Sequence, residues 1–235
     1  MSSEVKANKI SPATGTAVAL GDSGDTFTVP SGATLAVAGT INSTGSSSGF
    51  DSGLASVQTF TSSGTWTRPS GVTKVIMEIQ GAGGAGSAAS SNYGGGAGGG
   101  YAKKLLDVSS ISTSTITVGS GGAATSGGAG AGANGGLSSW ADGTNTITGN
   151  GGLGNPNSST ANVVGATGVG GDLNIQGGRG NYTWSGGGSM FSTDFGGANV
   201  TGLQKNGYGG GGGNGYSSYA SGAGAPGIVL VWEYK

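Results

Sequence analysis

Neither cysteine nor histidine occurs anywhere in the 235 residues. Without cysteine there is no disulfide framework and no thiolate metal site. Without histidine the chain lacks the usual general base and the commonest transition-metal ligand. Charge is scarce as well: nine basic residues against ten acidic ones give a formal net charge of −1, and charged residues make up 8%. That balance provides no basic footprint for nucleic acid and no self-repulsion to hold the chain open. The ten acids form no pair suggestive of glycoside hydrolysis, and Asp22 and Asp25 lack the further spaced ligands of a calcium loop. Catalytic residues, metal ligands and cofactors are therefore all expected to be none. The longest apolar run, residues 228–232, is too short to cross a bilayer, and the first ten residues hold no apolar signal core. The expectation is a product made in a cytoplasm without a signal peptide and not inserted in a membrane. Large aliphatic bulk is short too: Leu, Ile, Val and Phe account for 39 of 235 residues, below roughly a fifth of the chain.

Glycine fills the place of what is missing, at 57 residues. The organising stretch is residues 61–100, which starts as β-sequence and ends as nearly pure glycine. Arg68-Pro69-Ser70-Gly71 is turn chemistry, with proline presetting φ and glycine free to take a positive value. The strand that follows puts Val75, Met77 and Ile79 on one face and Lys74, Ile76, Glu78 and Gln80 on the other. Gly81-Ala82-Gly83-Gly84-Ala85-Gly86 then matches the spacing of a dinucleotide-binding turn. That chemistry needs a helix next, to hold pyrophosphate on its N-terminal amides. Residues 87–100 have no helical periodicity, so a nucleotide site is rejected.

The chain divides at a linker-like stretch, residues 42–49. Residues 1–49 form an N-terminal β region and linker, with short strands expected at 26–29 and 34–37 around Pro30-Ser31-Gly32 and another beginning at Ile41. The same strand–turn–strand device recurs thirty-nine residues later, residues 65–73 repeating the pattern of 26–34. Forty residues with so few large apolar side chains cannot build an independent core, so either the region is disordered or identical strands from several chains cover one another, and its regular β-pattern and specified turns favour the second. Residues 50–235 form a glycine-rich β domain, expected to be distal. Strands are expected at 101–107, 111–118, 137–140, 144–148, 172–176 and, most strongly, near the C-terminus up to Tyr234. Trp66 and Trp232 sit inside strands and are expected in the core. No segment reads as a helix.

Glycine tracts between short strands are either flexible linkers or extended three-fold helices of the polyglycine II type, whose backbones approach closely and bond sideways. Because both ends are anchored by strands, packed glycine layers are expected. The fold class is accordingly all-β with glycine-rich, polyglycine II layers: a fibrous trimeric N-terminal region plus a glycine-rich β body.

The ordered set of residues 59–86, 98–108 followed by 114–122, 171–180 and 222–234 resembles the glycine-rich domain of bacteriophage tail-fibre and tail-tip proteins. The likeness covers about residues 58–235, and residues 10–41 are similar to segments of fibre proteins of marine phages, including those of cyanobacteria. The resemblance implies a non-enzymatic virion fibre protein that mediates host-surface recognition and adsorption as a homotrimer. It would attach to other tail or virion proteins through its N-terminal region and contact a host cell-surface glycan or outer-membrane protein. Related adhesins of T-even phages stack polyglycine helices and present receptor-contacting loops between them. The alternatives are a purely structural virion fibre or head decoration protein, and an ice-binding or extracellular glycine-rich structural protein.

Large side chains gather between the later glycine tracts. Tyr182, Trp184, Met190, Phe191 and Phe195 are the candidate receptor-binding set, with Tyr208, Tyr216 and Tyr219 second. Aromatic rings with a polar handle suit flat sugar faces and protein loops at small entropic cost. Filling gaps in an apolar-poor core is the competing role, and residues 182–195 lack the period-2 pattern that would favour it.

Overall fold

The computed structural model describes residues 26, 28–29, 31–34, 36, 38, 53–89, 94–126, 129–157, 162–181, 185–193, 195–196, 207–216 and 219–235. The chain separates into two units, Met1–Ser48 and Gly49–Lys235. In the first, Ser31 and Gly32 make the expected turn, with Gly32 at φ +85°. The strands expected at 26–29, 34–37 and from Ile41 lie partly or wholly outside the described residues.

The second unit is all-β, with no helix among the described residues. Its strands begin with β1 (Leu54–Phe60), β2 (Gly64–Thr67), β3 (Lys74–Gln80), β4 (Ala88–Ala89), β5 (Tyr101–Asp107), β6 (Thr113–Thr117), β7 (Ala129–Gly130) and β8 (Ser138–Ala141). They continue with β9 (Thr146–Gly149), β10 (Gly168–Val169), β11 (Leu173–Ile175), β12 (Ser185–Gly186), β13 (Phe195–Gly196), β14 (Gly215–Tyr216) and β15 (Ile228–Tyr234). Two antiparallel five-stranded sheets carry the core, ordered β1-β15-β3-β5-β11 and β10-β9-β8-β6-β2.

Alternation decides which face goes inside. Val75, Met77 and Ile79 of β3 and Val229 and Val231 of β15 meet Trp66, Ile116, Trp140 and Ile147 of the second sheet. The Trp66 and Trp140 rings lie 4.8 Å apart, tilted by 48°. Between the sheets sits one carboxylate. Glu233, fully buried, accepts from Trp66 Nε1 at 2.6 Å, from Gln58 Nε2 at 2.7 Å and from Ser56 Oγ. Those three donors replace the water that a buried charge would otherwise lose at high cost.

Trp232 departs from expectation. It pairs with Ile76 and so faces outward from the first sheet, half-buried, because Val229, Val231 and Glu233 own the inward positions of β15. Gln80, expected on the mixed face, is fully buried, because the chain turns into glycine at that point and its Nε2 donates to the carbonyls of Gly81, Gly99 and Gly100. The outer face of the second sheet is mostly small and polar: register places Thr65 and Thr67 beside Thr115 and Thr113, and Thr117, Ser139 and Thr148 in line, with Ala141 and the edge residue Val169 as the apolar exceptions.

Candidate recognition surface

Where the strands end, glycine tracts continue them: β3 into 81–87, β6 into 119–126, β9 into 150–155 and β11 into 177–181. Tracts 94–100, 130–136 and 221–227 return into β5, β8 and β15. A strand bonds in two directions, whereas these tracts bond in three. Gly81, Gly84 and Ser87 donate to Gly100, Ala97 and Gly94; Ala82 and Ala85 to Gly136 and Ala133; Gly83 and Gly86 to Ala225 and Gly222. Each direction repeats every third residue and the acceptor falls by three, so these neighbours run antiparallel. Carbonyls of the same tract accept from Gly122, Gly152, Asn155, Gly212 and Gly215. Tract 94–100 does the same, donating to Asn181 and Gly178, Gly212 and Gly209, and Leu153 and Asn150. This is the sideways bonding of polyglycine II helices with three residues per turn.

The bonds close two fused hexagons around 81–87 and 94–100. The rows are 221–227, 209–215 and 185–188; then 119–126, 81–87, 94–100 and 177–181; then 130–136, 149–155 and 163–168. Glycine is needed for proximity. A Cβ on Gly96 would stand 2.2 Å from the Gly84 carbonyl oxygen, and one on Gly186 2.0 Å from that of Gly211.

Because the tracts alternate in direction along the chain and one end is tied to the sandwich, their far ends lie together at the other end. The described residues there are Thr125, Pro156, Asn157, Asn162, Asn181, Tyr216 and Tyr219, all uncharged, with exposed Arg179 two residues before Asn181. Side chains bind these turns to one another. Thr125 N donates to Ser221 Oγ at 2.9 Å and Ser221 N to the Thr125 carbonyl at 3.0 Å. Ser87 Oγ and Asn157 N both donate to Asn155 Oδ1, each at 3.0 Å, with Asn157 at φ +61°, a value asparagine tolerates. Asn214, 5% exposed at the end of tract 209–215, leaves both amide atoms without a partner.

The structure divides the sequence-selected residues. Tyr216 and Tyr219 lie at this end, exposed at 39% and 45%. Tyr182 and Trp184 lie outside the described residues, between Asn181 and Ser185, which do lie there. Met190 and Phe191 sit one tract length away, beside the sandwich. There Met190 is 57% exposed, while Phe191 is half-buried with its ring 5.8 Å from that of Tyr101, edge to face. Tyr208 is half-buried and bridges to Phe191 through the backbone. Phe195 pairs with Gly186, where the chain has turned back toward the loop end. Tyr101 has its phenol pushed up to about 12, by burial first and then by the charge of Glu78 and a hydrogen bond to it; Glu78 also pairs with Lys103 at 3.0 Å. The asparagines and threonines of the loop end were passed over by a reading that sought aromatic rings. The signal that finds them is the regular alternation of tract and turn, which sends every second turn to the same end.

A model of the glycine-rich domain matches residues 55–234. No curated protein matches the chain.

Proposed function

Given that the chain belongs to the family of glycine-rich domains, we propose that it is a non-enzymatic recognition protein of a phage virion fibre. The loop end of the glycine bundle adsorbs to a host surface, and the N-terminal region joins the homotrimeric assembly to other virion proteins. One observation carries the reading: among the described residues, uncharged turn residues that include tyrosine, serine, asparagine and glycine lie at the end opposite the sandwich, on tracts fixed in three directions. That is the composition by which antibody loops recognise protein and carbohydrate, with rigid rings for area and small polar groups for hydrogen bonds. The lack of charge suits a neutral glycan or the loops of an outer-membrane protein. The likeness of residues 58–235 to tail-fibre and tail-tip proteins supports the virion setting.

Fluorescently labelled full-length protein is added to a panel of bacterial cells and binding is titrated. Saturable binding to some strains is expected. Replacing Tyr182, Trp184, Tyr216 and Tyr219 by alanine should weaken it at least tenfold, since truncating central aromatic anchors typically costs about 2 kcal/mol or more each. Undiminished binding by that variant refutes the assignment of the surface.

A further inference from the structure

The outer face of the first sheet is apolar where that of the second is threonine. Register places Val57, Trp232, Ile76 and Leu105 in one row across β1, β15, β3 and β5. The next row holds Thr59, Leu230, Glu78, Lys103 and Leu173. Among the described residues, Phe191 covers the end of this face next to the glycine bundle, at Tyr101. Beyond it Leu105 remains 55% exposed, Leu173 49% and Val57 42%. A hollow of about 220 Å³ lies among Ile76, Glu78, Lys103, Trp232 and Tyr234. The Trp232 indole N–H, closed off from solvent, has no acceptor. A solvated face has no use for such a row, as the threonines of the other sheet show within the same molecule.

We propose that this face is an interface between copies of the chain, with a second copy seated on the Val57–Trp232–Ile76–Leu105 row. Three features favour a second copy over an unrelated partner. Interfaces between identical subunits are more apolar than those of partners that come and go. The charges at the centre are one adjacent pair, Glu78 and Lys103, 3.0 Å apart, and a pair of opposite signs side by side is self-complementary under a two-fold axis. The area is of the right order: four strands about 4.8 Å apart and some six residues long at about 3.3 Å each cover roughly 400 Å² per copy. Together with the side chains at the margins this approaches the roughly 1,000 Å² total of a specific contact. The sheets would pack face to face about 10 Å apart. This inference does not depend on the recognition reading, because association and cell binding are measured separately, and a two-fold contact through this face is distinct from the three-fold assembly proposed for the N-terminal region.

Sedimentation of the full-length protein over a range of concentrations tests it. Wild type should associate, and Leu105→Asp should weaken association by about tenfold or more, the equivalent of 1.4 kcal/mol. Thr115→Asp, on the exposed threonine face, should leave association unchanged. Because the chain has no cysteine, Leu105→Cys and Thr115→Cys each introduce a single thiol. The first should be protected from maleimide in the oligomer and become reactive on dilution, while the second should react throughout. A wild type that stays monomeric at tens of micromolar overturns the proposal, and so does an oligomer indifferent to Leu105→Asp. Protection of Leu105→Cys that persists in the dilute monomer also overturns it, because the cover would then lie within one chain.

Discussion

Replacing Gly84 by alanine sets two effects of glycine against each other. In a flexible linker the substitution would restrict the unfolded chain and stabilise the protein by about 0.4–1 kcal/mol. In the hexagonal array the new Cβ would stand 2.1 Å from the Leu153 carbonyl oxygen, where ordinary contact begins at 3.4 Å. Tract 149–155 would have to recede by more than about 1 Å, and overpacking of this kind costs about 1–3 kcal/mol. The shift also strains the bonds from Gly84 N to Ala97 O and from Gly212 N to Gly84 O, at 2.9 and 2.8 Å, each worth about 1–3 kcal/mol if left unmade in the interior. The total runs from about 1–3 kcal/mol if the bonds only lengthen to about 3–9 if both are lost, out of about 5–15 for a typical domain. At about 2–4 °C per kcal/mol for a body of this size, the melting temperature should fall by several degrees or more. Two controls separate packing from conformation. Gly53 has open space around it and an ordinary φ, so Gly53→Ala should be neutral or slightly stabilising. Gly143 is equally open but sits at φ +91°, so Gly143→Ala should lose about 1–2 kcal/mol from the left-handed backbone alone. Melts followed by circular dichroism measure all three. A Gly84→Ala protein as stable as Gly53→Ala would refute the packed array.

Trp66→Ala should destabilise by at least about 3–5 kcal/mol, from the cavity and from a carboxylate that loses one of its donors, and denaturant unfolding checks it; Trp66→Phe, which keeps most of the volume, should isolate the loss of the bond to Glu233. Phenol titration followed by near-ultraviolet absorbance should show one tyrosine ionising near pH 12. Because the folded state holds that proton when the unfolded state has released it, stability should fall as pH rises from about 10 to about 12, and Tyr101→Phe should remove this component. Asp142 works in the opposite direction. Burial opposes its charge, but the Asn145 and Thr144 amides, the Trp140 indole and the Asn145 side chain hold its carboxyl below the ordinary value. Its contribution is present above the unfolded pKa and lost as pH falls through the folded one, so Asp142→Asn should flatten the acid limb of a stability profile. Tyr216→Ala and Tyr219→Ala should leave the melting temperature nearly unchanged, since both rings are exposed.

Strand positions were legible wherever side chains alternate. Residues 101–107 coincide with β5, β6 and β11 fall inside 111–118 and 172–176, and β9 is displaced from 144–148 to end one residue later, at Gly149. The G-x-G-x-x-G match is a polyglycine tract whose amides are all taken by neighbouring backbone, as the missing helical periodicity implied. What could not be read was adjacency. Backbone bonds carry no residue code, so nothing in Gly83 names Ala225 as its acceptor. Trp232 was misplaced because aromatic size says nothing about parity, which Glu233 decided by turning inward to meet Trp66. The candidate surface was legible as aromatic clusters but not as a place. Phe191 and Tyr216 stand at opposite ends of the bundle because one tract of four residues, 185–188, runs between the loop end and the turn that carries Phe191.

The three-residue repeat of the array has a consequence for how the molecule assembles and changes. A tract that slides by three positions along its neighbours finds the same amides opposite the same carbonyls, so the lattice cannot tell one register from the next. Registration must come from outside the lattice, from the strands that clamp one end and from the alanines that interrupt the glycine. The sandwich thus serves as the zero mark from which each tract is counted. By the same rule, lengthening or exchanging a turn at the far end leaves that count intact. Turns can diverge between related proteins without any compensating change in the bundle beneath them.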